Sequence, residues 1–232
     1  MNVYADGFKK LEGEIKTHPL LDLIESKISG PATAASIEKA EKALGKPFSP
    51  NLKDFYSQLN GVTLLWKFKN LGDSDWEKLK SQLPGLTVKD KHKTKPFASI
   101  KILPVEKCFV NPESFFDSSE KGDFEVEFAG KKYPGNSFGQ LLRPFDLYSD
   151  TSCMSFVLIE GVADKVMQLS DAYIVWDYSK MSDFDNYIKM LFVTRGIEES
   201  RDKVYREYHG EEQPLVKVDD AFVKEFTPPL FK

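Results

Sequence analysis

Cysteine is scarce in this chain. Cys108 and Cys153 are the two cysteines among 232 residues; they lack CxxC spacing, and each sits in a mostly apolar stretch. Two buried thiols are the expectation, ahead of a disulfide and of a nucleophile or ligand. Histidine is nearly as rare. His18, His92 and His209 lie far apart and none forms HExxH or HxH, so no metal is expected. No apolar run approaches the roughly 18 residues that a membrane span needs; the longest strongly apolar pieces are VTLLW (62–66) and MSFVLI (154–159). Charges run through the opening stretch MNVYADGFKKLEGEIK, where a signal peptide would carry its apolar core. The expectation is a cytoplasmic protein that makes no membrane contact. Net charge is small too: 32 Lys and Arg stand against 36 Asp and Glu, which gives no reason to expect a nucleic-acid partner.

Catalytic signatures are also missing. There is no P-loop, no dinucleotide fingerprint and no EF-hand loop. Gly135, Ser137 and Gly139 fit the bare G-x-S-x-G pattern, but that motif works on a strand–turn–helix with a later histidine. Here Pro134 precedes it, a strand is expected after it, and His209 lies in a charged helix. Asp146 and Asp150 stand four apart, yet carboxylate pairs for glycoside chemistry are defined in space, and in a chain this rich in acids the pair carries almost no weight. No catalytic residue, cofactor or metal ligand is therefore assigned.

What is present describes a globular protein. A composition of 41% hydrophobic, 13% aromatic and 29% charged residues matches a soluble fold, and 18 phenylalanines exclude a mainly disordered chain. Core packing is the default role for those rings. Charge is unevenly placed: residues 1–100 hold 16 basic and 12 acidic side chains, whereas 101–232 hold 16 and 24. Such a two-signed surface can orient a partner.

TAASIEKAEKALG (33–45) reads as a helix through Ile37, Ala40, Ala43 and Leu44, with Thr33 as N-cap and Gly45 as stop. SPNLKDFYSQLNG (49–61) reads as a second: Ser49 caps, Pro50 takes the first position, and Leu52, Phe55, Tyr56 and Leu59 make one stripe. Asn60-Gly61 supplies a left-handed ending, and VTLLWKF follows as a strand. Residues 3–28 read as a helix pair broken near His18-Pro19. SDWEKLKSQL (74–83) carries a capping box, Ser74 with Glu77, and an apolar face of Trp76, Leu79 and Leu83. Lys89, Lys91, Lys93 and Lys95 alternate like the wet face of an edge strand, or form a basic loop. Strands are expected at 99–103, 107–110, 123–128, 140–147, 153–160 and 172–177. DFEVEF (123–128) alternates Phe124, Val126 and Phe128 with acids, which favours an antiparallel sheet. Helices are expected at 182–196 and, charged and peripheral, at 197–209; the tail reads as a short strand or irregular arm. The fold class is α+β, with a mainly antiparallel sheet and helices packed against it.

The segment TAASIEKAEKALGKPFSPNLKDFYSQLNG resembles the opening of the SMI1/KNR4 family, also called the SUKH superfamily. The matching positions are Ile37, Ala40, Glu41, Leu44, Gly45, Pro47, Phe55, Tyr56, Asn60 and Gly61. The resemblance implies a single SMI1/KNR4-like domain over 1–232, with a core at about 30–195, an insertion at 69–98 and a C-terminal extension at 196–232. Many bacterial members are immunity proteins that neutralise toxins exchanged between cells, and fungal relatives are regulatory scaffolds. The expected function is therefore a non-enzymatic protein-binding domain: an immunity protein against a polymorphic toxin, with a scaffold serving an endogenous partner as the alternative. The acidic part after residue 100 would face a basic toxin domain. Trp66, Asp146, Tyr148, Asp150 and Trp176 are the candidate protein-binding residues; the aromatic ones lie near element ends beside polar groups and suit interface anchoring.

Overall fold

The computed structural model describes residues 2–83, 88–112, 125–128, 131–158, 165–170, 181–207 and 217–232. Helix α1 (Val3–Thr17) buries Tyr4, Ala5, Phe8, Leu11 and Ile15 along one face. It ends where Pro19 forces the preceding His18 into extended backbone (ψ 130°). The next segment is strand β1 (Leu21–Ile28), not the second helix of a pair. Leu21 and Leu23 alternate with Asp22, and pairing with the following strand outweighs local preference. Helix α2 (Ala34–Leu44) has Thr33 as N-cap, accepting from the Ser36 N–H, and Gly45 in the left-handed region. Helix α3 (Pro50–Gln58) has Ser49 accepting from the Leu52 N–H. Each such cap is worth about 1 kcal/mol. Strand β2 (Val62–Phe68) alternates strictly, burying Val62, Leu64, Trp66 and Phe68.

Helix α4 (Asp73–Gln82) starts from Gly72, with no side-chain cap bond, so Ser74 and Glu77 lie inside the first turn rather than forming the expected box. Its Trp76 and Leu79, with Leu83 beyond its end, are buried in the main core. The lysine-bearing stretch forms a 3-10 turn (Asp90–Lys93) in place of an edge strand. Strand β3 (Ala98–Ile102) then pairs with β2, so residues 69–97 connect two neighbouring strands. Helix α5 (Val105–Phe109) occupies the place of an expected strand. Its buried Val105, Cys108 and Phe109 follow helical spacing, and Pro104 leads into it.

Strands β4 (Glu125–Phe128) and β5 (Lys131–Pro134) form a separate two-stranded sheet. A five-residue helix, α6 (Gly135–Gly139), follows directly and covers the G-x-S-x-G pattern itself, ahead of the strand expected at 140–147. Strands β6 (Leu142–Asp146), β7 (Ser152–Val157), β8 (Lys165–Ser170) and β9 (Met181–Asp183) complete the main sheet. Helix α7 (Phe184–Thr194) is capped by Asp183, and helices α8 (Glu198–Glu207) and α9 (Asp220–Phe226) follow, then a 3-10 turn (Pro229–Phe231). The tail is thus helical, held by the Asp219 cap on the Phe222 N–H. The expected strand at 172–177 and part of that at 123–128 lie outside the described residues.

The architecture is α+β: a curved, seven-stranded sheet ordered β1-β2-β3-β6-β7-β8-β9, antiparallel at every pairing, with packed helices. Helices α1, α3 and α7 touch one another. The main core draws on side chains from Tyr4 to Phe226. Phe138, Leu142, Cys153, Val157, Met167 and Leu169 form a second, smaller cluster. Strand β7 lies between them and is buried at all six positions, which is why its sequence shows no apolar–polar alternation, Ser152 and Ser155 being buried along with its apolar residues. At the β1 edge a bulge between Leu23 and Glu25 leaves Ile24 exposed and interrupts the ladder, a common guard against edge pairing. No helix among the described residues is long and apolar enough to cross a membrane.

Candidate functional site

The sequence-predicted residues fall in different environments. Trp66 is buried on β2, and its indole N–H donates to the Arg195 carbonyl at 3.1 Å. Its polar edge therefore ties the sheet to the end of α7 and does not reach solvent. Asp146 and Tyr148 are buried as well, whereas Asp150 is exposed. Trp176 lies outside the described residues. Burial removes Trp66, Asp146 and Tyr148 from any surface that a docking partner meets.

Asp146 instead centres an internal charge cluster. Its Oδ1 accepts from the Lys101 N–H at 2.7 Å, and its Oδ2 accepts from Tyr187 Oη at 2.5 Å and Arg201 Nη1 at 3.0 Å. Arg201 Nη2 donates to the carbonyls of Ser99 and Gly196, and the guanidinium lies 4.2 Å from the Tyr148 ring centre. Burial alone would weaken the Arg201 charge, but facing Tyr187, Asp146 and Tyr148 outweighs it and holds the group above its ordinary value. Gly196 sits at φ +73°, where a Cβ would lie 2.6 Å from Ile100 Cγ1; this tight turn brings α8 onto β3. Both partners of the ion pair have no exposed side-chain surface, so the cluster binds the fold together and offers nothing to a substrate.

Arg201 was not a sequence candidate, because α8 reads as charged and peripheral. A signal existed: Ile197, Ser200, Arg201 and Val204 are all buried and stand at i, i+3, i+4 and i+7, a helical stripe once arginine is admitted to it. Both cysteines are buried thiols outside any disulfide, as the sequence suggests. Burial and nearby Asp146 push the Cys153 thiol up, away from the reactive thiolate. Ser137 is exposed within α6. His18 Nδ1 accepts from the Leu20 N–H and Nε2 faces the Leu230 carbonyl. Among the described residues no group of three or more His, Cys, Asp or Glu is arranged to hold a metal ion.

Among the described residues a groove of about 150 Å³ opens where the α2–α3 turn meets the sheet. Phe48, Leu52, Phe109, Phe156 and Val157 form its apolar floor and walls, and Lys46 and Lys165 stand among its lining residues. Its shape comes from the motif at 33–61. Gly45 and Pro47 turn the chain sharply, and the Glu41 carboxylate accepts from the Phe48 N–H at 2.9 Å, which orients that ring. Asn60 fastens the other side: its N–H donates to the Gly30 carbonyl, its Oδ1 accepts from the Val105 N–H at 2.8 Å, and its Nδ2 donates to Glu106. Gly61, at φ +106°, would place a Cβ 3.2 Å from the Ile102 carbonyl oxygen, so this position suits glycine. Helix α3 itself ends one residue earlier than expected, with Leu59 extended. Together these contacts hold α5, and with it Phe109, beside Phe48 at 4.8 Å between ring centres.

No protein-family model matches the chain, and no curated protein matches it.

Proposed function

We propose that this chain is a non-enzymatic protein-binding domain of the SMI1/KNR4 type that neutralises a bacterial polymorphic toxin by covering its active site. The supporting observation is the 33–61 motif. Four of the residues that carry the family resemblance, Gly45, Pro47, Asn60 and Gly61, turn and fasten the chain around an open apolar groove. A small apolar groove with a few polar groups at its rim suits an anchor side chain of a protein partner.

Asp146 is neutralised internally by Arg201, so it adds no field outside the molecule. Any pull on a basic toxin domain would come from exposed acids such as Asp150, Asp219 and Asp220.

The reading is tested by locating a neighbouring gene for a secreted protein with a variable C-terminal domain and co-expressing that domain with this chain. Restored growth together with a purified complex is the expected result. No rescue and no binding would overturn it, and binding to a host protein without rescue would favour the scaffold alternative.

A further inference from the structure

The groove is defined by its charge as well as its shape. Among the described residues neither Lys46 nor Lys165 has a carboxylate within ion-pair distance. Glu41, the carboxylate of the α2–α3 turn, is committed to the Phe48 N–H and to Lys53. Asp183 lies opposite Lys165 across β8 and β9, but its two oxygens accept from the backbone and side-chain nitrogens of Asn186. Two ammonium groups without ion pairs therefore flank a floor made of Phe48, Phe109 and Phe156.

We infer that this groove docks a partner segment presenting one leucine or aromatic side chain flanked by carboxylates. This specifies the partner chemistry of the proposed protein-binding role and rests on that role. The volume of about 150 Å³ is on the scale of a cavity that takes up one benzene; it fits a single side chain and is too small for an acyl chain. Apolar contact supplies the anchoring, and the two lysines select acidic flanks over basic ones. This is the reverse of what the total acid excess suggests, because screening confines a charge's influence to within about 10 Å, and among the described residues the charged side chains that line the groove are Lys46 and Lys165.

The test is titration of the isotopically labelled full chain with heptapeptides that carry a central leucine flanked by glutamate, glutamine or lysine. With the glutamate peptide, amide resonances of Phe48, Leu52, Val157 and Lys165 should shift. Binding should weaken by about tenfold with the glutamine peptide, and again when the Lys46→Glu/Lys165→Glu chain meets the glutamate peptide. Both lysines retain solvent exposure, so that variant should keep its melting temperature. Equal affinity for the lysine peptide, or no groove shifts at millimolar glutamate peptide, would overturn the inference. Co-expression separates it from the broader role. If the wild type and the double variant rescue growth equally, the groove chemistry is wrong while toxin neutralisation stands. If the glutamate peptide binds the groove and the wild type fails to rescue, the toxin assignment is wrong and the groove chemistry stands.

Discussion

Arg201 and the pair Lys46 and Lys165 bring cations to opposite ends of one run of packed rings. The run passes from Phe48 to Phe109 (4.8 Å), Phe156 (5.3 Å), Phe145 (4.3 Å) and Tyr187 (5.4 Å) between successive ring centres. At the inner end a carboxylate is desolvated together with the cation, and the Arg201 guanidinium also donates to the Tyr187 hydroxyl and two carbonyls, with its Nε left unpartnered among the described residues. At the outer end the cations face solvent without a carboxylate partner among the described residues. A buried charge is tolerable only when it is paired, so the inner cluster is tied to stability. An open cation keeps its attraction for an incoming group, so the outer pair is available for recognition. Residue type alone does not separate these cases; the position of Asp146 does.

Removing the inner cation should have the largest effect. Arg201→Ala leaves Asp146 buried without its countercharge and should cost about 3–5 kcal/mol, lowering the melting temperature by about 10 °C in a chain of this size. The double replacement Asp146→Leu/Arg201→Met should be milder than the single one. A loss under about 1 kcal/mol for Arg201→Ala, on the scale of an exposed ion pair, would erase the contrast between the two ends. Asn60→Ala removes the acceptor for the buried Val105 N–H and should cost about 1–3 kcal/mol in urea unfolding. It should also blur the groove resonances, because α5 carries Phe109.

His92 is an intermediate case, a half-buried ring packed edge-to-face against Phe97 whose Nδ1 accepts from the Lys89 N–H. Burial, aided by Lys91 and Lys89, lowers its pKa from 6.5 to about 4. The folded state therefore holds the neutral ring, while the unfolded chain takes up a proton near 6.5. The stability contributed by the neutral ring is complete above that pH and is lost as pH falls from 6.5 towards about 4. Urea unfolding across this window should fall less steeply for His92→Asn than for the wild type; identical slopes would remove His92 as the cause. The smallest effect on stability belongs to the outer lysines: reversing both should change unfolding by no more than about 0.5 kcal/mol while weakening acidic-peptide binding.

Much of the fold was legible because local chemistry and packing agree. Thr33, Ser49 and Pro50 announce α2 and α3, and the strongly apolar pieces VTLLW and MSFVLI announce β2 and β7. The failures lie where a distant contact overrides a local pattern. β1 is a strand because β2 supplies its hydrogen bonds. The 107–110 segment is helical because Asn60 captures the start of α5 from 45 positions away. The candidate site was less legible. Trp66, Asp146 and Tyr148 have the polar–aromatic character of interface residues, and that character is satisfied internally. The groove escaped notice because its walls come from α2, α3, α5, β7 and β8, elements whose adjacency no spacing rule encodes.

The sequence by itself determined the α+β class, the thiol chemistry and the turn motif at 33–61, since caps, alternation and left-handed glycines act over a few residues. Only the tertiary structure decided which charges are consumed and which remain open. That depends on the burial of Asp146 and Arg201 side by side, 55 residues apart in the chain, and on Lys46 and Lys165 meeting across a groove. Desolvation, which sets the strength of every one of these charges, is a property of the packed fold.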